Sequence, residues 1–268
     1  SDASEIGRVN LNAGQRAVQV SPDVVKIILQ ARKVSLETQG AFDISALPLQ
    51  RLWNFKSSNP RVPTKEEIAE KRHLVDFRAV VLDSNTVFLP RPEMGLDLGA
   101  IAKGYAVDQA VAILKKDGYS DFMVEAGGDL RTVAGELTHG ERKIWVRHPR
   151  KPDEFFAVIK KDQCAVATSG DYERFFEKDG QRFHHIIDPV TGYPARPVVS
   201  ATIIAEEAVI ADAYATAVFV LGPDRGLELI EKNPGLEGLI VFEKESESDS
   251  MLGWKVSKGI VEEIEIVN

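Results

Sequence analysis

The sequence is poor in cysteine and has no long apolar run. Its 268 residues include one cysteine, Cys164, which excludes an intramolecular disulfide and a zinc site built on two or four cysteines. No 18 consecutive residues are apolar, so these residues hold no membrane-spanning helix. The net charge of −8 argues against nucleic acid as a partner, because such affinity depends largely on Lys and Arg contacts to phosphate.

What is present is an ordinary globular composition with helical patterns along the chain. Apolar residues make up 44% of the sequence and charged residues 28%. Residues 21–40 predict a helix with Ser21 as its N-cap, and a short charged helix is expected from Thr64. Further helices are predicted over 99–118 and over 206–222, the last apolar almost all round and therefore buried. Antiparallel runs of strands interrupted by helices indicate an α+β fold.

The segment ADAYATA (211–217) places a carboxylate on an otherwise apolar helix. Asp212 and Thr216 are four residues apart and therefore lie on one face. A buried carboxylate is costly unless it is paired or bound to a cation. Two interpretations stay open: the two side chains hold a hard cation such as Mg²⁺, or Asp212 pairs with an arginine or caps a neighbouring element.

Three further clusters lie at the ends of predicted elements. In LDLGAIAKGYAVD (96–108), Lys103 lies in the first turn of a helix, where free N–H groups and the helix dipole suit phosphate. The alternative is an ordinary helix bounded by glycines, because GAIAKG is neither a P-loop nor a dinucleotide fingerprint. In EAGGDL, Gly127-Gly128 permits either a strand-end turn or the close approach of a ligand. In ATSGDYERFF, Ser169 is either the N-cap of a short helix or a hydrogen-bonding group for a phosphate or ring.

The stretch HHIIDPVTGYPA (184–195) combines a histidine pair with a turn signal. Asp188 and Gly192 are typical of a tight turn, which explains the second half of the stretch. The pair His184-His185 is either structural or able to exchange protons beside a phosphate.

Taken together and in order, these motifs resemble the ApbE family of FAD:protein FMN transferases. The resemblance covers residues 5–222 and rests on six linked motifs. These motifs are GAFDIS…PLQRLWNF, LDLGAIAKGYAVDQA, VEAGGDLRTVAG, AVATSGDYERFF, HHIIDPVTGYPA and IADAYATAVFVLG.

The resemblance implies a single domain over residues 1–268 with an α+β fold of the T-fold type, in which helices pack on antiparallel sheets. It implies Mg²⁺-dependent transfer of the FMN moiety of FAD to a Thr or Ser hydroxyl of a target protein, with release of AMP. The implied targets are subunits of redox-driven ion pumps or related electron-transfer proteins. The implied location is the periplasmic face of the bacterial inner membrane, reached through a lipid anchor.

The resemblance also implies roles for individual residues. The metal would be held by Asp212, Thr216 and the carbonyl group of Ala100. His185, rather than His184, would handle the proton of the acceptor hydroxyl, because the family pattern is His-x-Ile-Asp-Pro. The residues that would contact FAD are Ala41, Phe42, Asp43, Asp97, Lys103, Ser169, Gly170, His185 and Ile186.

One departure from the family pattern concerns the start of the chain. Family members usually carry a leading segment before SEIGRVN, with an aromatic residue that touches the flavin. We expect that this segment has been trimmed or is disordered, or that this member lacks it, which would open the flavin pocket on one side.

Three other functions compete with transfer. They are a Mg²⁺-dependent FAD pyrophosphatase that yields FMN and AMP, a non-catalytic FAD-binding protein, and a metal-independent structural domain.

Overall fold

A computed structural model describes residues 2–55, 57–135, 142–244 and 252–267. The chain divides into two compact units, of which unit 1 comprises Ser1–Ala100 and Arg174–Ala195, and unit 2 comprises Ile101–Glu173 and Arg196–Asn268. The expectation of a single domain over the whole chain stays a prediction. None of the helices in the described ranges combines the length and the apolar character needed to cross a bilayer.

The described residues form seven α-helices and fourteen β-strands. The helices are α1 Glu5–Leu11, α2 Pro22–Glu37, α3 Leu47–Trp53, α4 Lys65–Arg72, α5 Ala102–Lys116, α6 Ala208–Leu221 and α7 Pro223–Lys232. The strands are β1 Val18–Gln19, β2 Val81–Asp83, β3 Thr86–Phe88, β4 Phe122–Ala126, β5 Asp129–Val133, β6 Lys143–Arg147, β7 Phe155–Lys160, β8 Ala165–Gly170, β9 Phe175–Lys178, β10 Gln181–His184, β11 Val198–Ala205, β12 Glu237–Glu243, β13 Leu252–Val256 and β14 Ile264–Ile266.

Unit 1 consists of small helices and short antiparallel sheets. Helix α2 begins after Ser21, whose hydroxyl accepts the Val24 N–H, and α4 begins after Thr64 with a reciprocal capping box to Glu67. Both starts confirm the sequence-based expectation. Strands β1, β3 and β2 form one sheet, and β10 pairs with β9. The core of this unit contains Leu49, Trp53, Ile68, Phe183 and Ile187.

Unit 2 is built on a six-stranded sheet in the order β13-β12-β11-β8-β5-β4 and a three-stranded sheet in the order β14-β7-β6. All strand pairs in it are antiparallel among the described residues, which confirms the predicted α+β class. A core cluster draws on both sheets and includes Val146, Phe156, Ile159, Val166 and Leu239. The predicted burial of α6 is confirmed, because most of its residues are buried and it packs against β8 and β11.

Helices α5 and α6 cross at a glycine. A Cβ atom added at Gly104 in the first turn of α5 would overlap the carbonyl oxygen of Ala208 at the start of α6. The two backbones therefore approach more closely than any other residue type would permit at this position. This contact sets the distance between the first turns of the two helices.

We expect Gly104→Ala to destabilise the protein by about 1–3 kcal/mol, because the added methyl group must push α5 and α6 apart. Helix propensity alone would make Gly104→Ala stabilising, because alanine favours a helix more than glycine does. A loss of stability would therefore support the packing argument. The free energy of unfolding in urea measures it. The control is Ala112→Ser, which adds one atom on the exposed side of α5 and should change stability by less than about 0.5 kcal/mol. A neutral or stabilising Gly104→Ala would contradict the close crossing.

Candidate active site

Helix α6 places Asp212 and Thr216 one turn apart, as predicted. The Asp212 side chain is only 5% exposed, and the residues around it on the helix are alanine, valine and isoleucine. The carboxylate is therefore removed from bulk water and needs partners within the protein.

One partner is the backbone of α5. The Gly104 N–H in the first turn of α5 donates to Asp212 Oδ2 at 3.1 Å. In the opposite direction, Asp108 of α5 accepts the N–H groups of Ala208 and Val209 at 3.0 and 2.8 Å. Neither helix has a side-chain cap from its own N-cap residue, so each is capped by a carboxylate of the other. The interpretation of Asp212 as a cap is thus confirmed for one of its oxygens.

No arginine pairs with Asp212 among the ion pairs of the described residues. Arg131 donates to Asp108 Oδ1 at 2.6 Å and completes the set of partners of that cap. The cation beside Asp212 is instead Lys103, whose Nζ lies 4.0 Å from Asp212 Oδ1 and 2.8 Å from Asp129 Oδ1. Lys103 lies in the first turn of α5, as predicted, and its side chain is 44% exposed.

Asp129 is the residue of this cluster that the sequence analysis missed. It is 1% exposed, and its Oδ2 has no hydrogen-bond partner among the described residues. It follows Gly127-Gly128, which have φ values of +60° and +91° and close the β4–β5 hairpin in two residues. Of the two interpretations of this glycine pair, the strand-end turn is confirmed. The sequence signal that could have identified Asp129 is its position as a carboxylate directly after the glycine pair of a tight hairpin turn.

Lys103, Asp129 and Asp212, which we call the carboxylate cluster, carry one net negative charge when both carboxylates are ionised. Burial raises the pKa of Asp212 to about 7, the like charge of Asp129 adds to the shift, and Lys103 opposes it. Burial also raises the pKa of Asp129, again against the effect of Lys103. The cluster therefore has an excess of buried negative charge and favours an added cation or proton.

Ser169 is not the N-cap of a helix, and this alternative was wrong. It lies in β8 opposite Ala201, and the residues after β8 form a turn that leads into β9 and not a helix. The Ser169 hydroxyl lies 3.2 Å from the Thr216 hydroxyl. The two groups form a hydrogen bond between β8 and α6. Gly170 is buried at the end of β8, where a Cβ atom would crowd the Tyr172 ring. The structure therefore brings Ser169 and Thr216 together within unit 2.

Asp43 and Asp97, two predicted residues of unit 1, lie in loop segments that are held by local hydrogen bonds. Asp43 Oδ1 accepts the backbone N–H and the hydroxyl of Ser45 at 2.7 and 2.6 Å, and its Oδ2 accepts the Phe77 N–H. Burial raises the pKa of Asp43, and these hydrogen bonds oppose the shift. The Asp97 N–H donates to the Ile44 carbonyl at 2.8 Å, so the two predicted segments are neighbours.

The other predicted residues of this region differ in exposure. Ala41 and Phe42 are 7% and 1% exposed, so the phenyl ring belongs to the buried interior. Asp97 Oδ1 accepts the Gly99 N–H at 2.8 Å, which forms a local turn just before Ala100. Ala100 is half-buried and is the last residue of its segment of unit 1.

The two adjacent histidines have different surroundings. His184 is 3% exposed, and its Nδ1 accepts the Ile186 N–H while its Nε2 donates to the Ala195 carbonyl. His184 is therefore structural. His185 is half-buried, and its backbone N–H donates to the Arg174 carbonyl. The Ile186 side chain is 7% exposed.

The turn that follows the histidines has the predicted form. The Gly192 N–H donates to the Asp188 carbonyl at 2.8 Å, and Asp188 Oδ1 accepts the Val190 N–H at 2.9 Å. Gly192 has φ of +78°, and its carbonyl accepts the Trp53 indole N–H at 2.8 Å. The Asp-Pro-Val-Thr-Gly segment is thus a structural turn tied to the core of unit 1.

Comparison with known proteins decides the family. The model of the ApbE family matches residues 1–240. The chain belongs to the ApbE family.

Named relatives of this ApbE-family chain share one description. A protein named FAD:protein FMN transferase from Haemophilus influenzae is 35% identical over 240 residues, which cover 86% of this chain and 69% of the relative. A protein of the same name from Treponema pallidum is 34% identical and covers 100% of this chain and 76% of the relative.

Solved structures of the family have the same fold. The ApbE protein of Thermotoga maritima matches with a TM-score of 0.86 at 36% identity, over 97% of this chain and 83% of that protein. The flavin transferase ApbE of Vibrio cholerae matches with a TM-score of 0.83 at 30% identity, over 97% and 82% of the two chains. The predicted family and fold are therefore confirmed, whereas the roles of the individual site residues stay predictions.

The raised pKa of Asp212 generates a stability prediction for the metal-free protein. A carboxyl group whose pKa is higher in the folded than in the unfolded chain stabilises the fold at low pH, and this contribution is lost as pH rises through about 7. We expect Asp212→Asn to be more stable than the parent protein at pH 8, by on the order of 1 kcal/mol, and to lose this advantage at pH 5.

Urea unfolding in the presence of a chelator at the two pH values measures the difference. Asp23→Asn, in the exposed first turn of α2, is the matched control and should not be more stable than the parent protein at pH 8. An equal effect of Asp212→Asn on stability at pH 5 and pH 8 would show that the pKa of Asp212 is not raised in the folded protein.

Proposed function

We propose that this chain is an FAD:protein FMN transferase. The observation that carries the proposal is the buried Asp212 of α6, which has Thr216 one turn away and the Lys103 ammonium 4.0 Å from its Oδ1, in a chain of the ApbE family. The named relatives support the reaction class. The substrate is FAD, and the acceptor is a Thr or Ser hydroxyl of a second protein.

The carboxylate cluster fits a hard divalent cation. Its oxygens are buried, it has one net negative charge, and Asp129 Oδ2 has no hydrogen-bond partner among the described residues. No group of three or more His, Cys, Asp or Glu side chains suited to a metal occurs in the described ranges, and the proposed ligand set does not need one. We assign Mg²⁺ to Asp212 and Thr216, with the Ala100 carbonyl as a third oxygen.

When bound, Mg²⁺ would offset the negative charge that develops on the diphosphate oxygens of FAD. The chain's own residues supply the remaining electrostatics. The Lys103 ammonium adds a full positive charge, and the first turn of α5 adds the positive end of a helix dipole.

The proposed reaction is a direct displacement. The acceptor oxygen forms a bond to the FMN phosphorus, and the bond from that phosphorus to the bridging oxygen breaks. AMP leaves with the bridging oxygen, and the hydroxyl proton is lost to a base. We assign that base to His185, since the ring nitrogens of the neighbouring His184 are both used within unit 1. Positioning and charge supply most of the acceleration, as in phosphoryl transfer generally.

The remaining predicted residues are assigned to FAD binding. The Ser169 hydroxyl of β8 lies 3.2 Å from the Thr216 hydroxyl, and Gly170 follows Ser169 in the same strand. The segments of Asp43 and Asp97 are joined by the hydrogen bond from the Asp97 N–H to the Ile44 carbonyl. The other residues assigned to FAD on the resemblance are Ala41, Phe42, His185 and Ile186.

The acceptor and the location are the parts of the proposal that rest on the resemblance alone. The acceptors proposed are flavoprotein subunits of redox-driven ion pumps or related electron-transfer proteins. The proposed location is the periplasmic face of the bacterial inner membrane, with a lipid anchor.

The decisive experiment incubates the protein with FAD, Mg²⁺ and an acceptor peptide that bears a central threonine. We expect the peptide to gain the mass of an FMN group and AMP to appear in equal amount. Asp212→Ala should abolish both products while leaving the circular dichroism spectrum unchanged. The matched control is Asp117→Ala at the exposed end of α5, which should react like the parent protein.

The products distinguish the competing functions. FMN and AMP formed at full rate without peptide would identify a pyrophosphatase. FAD retained without AMP under any metal would identify a non-catalytic flavin-binding protein, and no retention of FAD would exclude a flavin function.

Lys103→Ala tests the electrostatic role of the ammonium. Its loss removes a positive charge beside the proposed diphosphate site, so the FAD concentration at half-maximal rate should rise roughly tenfold or more. Lys115→Ala, on the exposed last turn of α5, is the control and should leave this concentration unchanged. An unaltered FAD dependence in Lys103→Ala would remove this residue from the site.

A further inference from the structure

Lys103 lies between two buried carboxylates and bonds to only one of them. Its Nζ is 2.8 Å from Asp129 Oδ1, a full hydrogen bond, but 4.0 Å from Asp212 Oδ1. The choice matters for the proposed function, because an ammonium bonded to Asp212 would occupy the place of a metal ion. The contact between Lys103 and Asp129 therefore affects whether the Asp212 carboxylate is available to bind a metal ion.

Asp129 is held firmly enough to fix the ammonium. It opens β5 opposite Ala126, directly after the two-residue turn at Gly127-Gly128. The Gly128 N–H donates to the Glu125 carboxylate at 2.7 Å, which ties the turn to the preceding strand. Since the Asp129 side chain is only 1% exposed, its carboxylate has little freedom to leave Lys103.

We propose that Asp129 is a positioning residue that holds the Lys103 ammonium away from Asp212 and so keeps the Asp212 carboxylate free to bind the cation. The proposal rests on the proposed function, because it concerns the same cation. Asp129 acts through Lys103 and is not itself assigned as a ligand.

Removal of the Asp129 charge should change the position of Lys103. In Asp129→Asn, the amide oxygen can still accept a hydrogen bond from Lys103 but carries no charge. The nearest remaining carboxylate is that of Asp212. The ammonium moves to Asp212 and competes with the cation, whose affinity falls roughly ten- to a hundredfold, as is typical when a group that supports a metal ligand is removed. Removal of Lys103 as well leaves no competitor, so affinity returns.

The experiment measures Mn²⁺ binding to the flavin-free full chain by electron paramagnetic resonance, which is independent of turnover. We expect Asp129→Asn to bind Mn²⁺ roughly ten- to a hundredfold more weakly than the parent protein. The double variant Lys103→Met/Asp129→Asn should bind within about threefold of the parent protein, and Asp129→Glu, which restores a partner for Lys103, should also recover most of the affinity.

The matched control is Glu125→Gln. It removes one negative charge from the same hairpin, and the amide oxygen of glutamine can still accept the Gly128 N–H. Since Lys103 keeps its partner, affinity should fall by no more than about threefold. A loss as large as that of Asp129→Asn would show that total charge, and not the position of Lys103, sets the affinity, and would overturn the proposal.

The outcomes separate this proposal from the proposed function. Parent-like affinity in Asp129→Asn, or no recovery in the double variant, overturns the positioning role and leaves the transferase function standing. Absence of Mn²⁺ binding in the parent protein overturns both the metal assignment and this proposal. Should Asp129→Asn fail to fold, the double variant and Asp129→Glu decide, because failure of both to bind Mn²⁺ while folded would overturn the role.

Discussion

The crossing of α5 and α6 is the contact on which the rest of unit 2 depends. At this crossing a carboxylate of each helix accepts N–H groups from the first turn of the other, through Asp108 in one direction and Asp212 in the other. Buried helix N-termini and buried carboxylates are each costly alone, and here each satisfies the other. Gly104 permits the close approach that these hydrogen bonds require.

The same arrangement explains why the cluster is suited to chemistry. Once Gly104 is bonded to one oxygen of Asp212, the other oxygen faces Lys103 at 4.0 Å and the nearby Asp129 leaves an excess negative charge. A fully neutralised cluster would be more stable but would not attract a cation. The raised pKa of Asp212 reflects its burial and the nearby charge of Asp129.

Several polar residues of unit 1 serve the scaffold. Asp43 organises its own loop through Ser45 and Phe77, and His184 uses both ring nitrogens on backbone partners. These hydrogen bonds fix the backbone of the loop segments in which the two residues lie.

The sequence by itself determined the family, the α+β class and the starts of α2 and α4, because capping residues and motif order are local signals. It also placed Asp212 and Thr216 on one buried helical face. Only the tertiary structure decided that Asp212 caps α5, that Ser169 belongs to a strand, and that Asp129 holds Lys103. These contacts join residues far apart in the chain, and nothing in local propensity or periodicity specifies which distant partner a buried charge will meet.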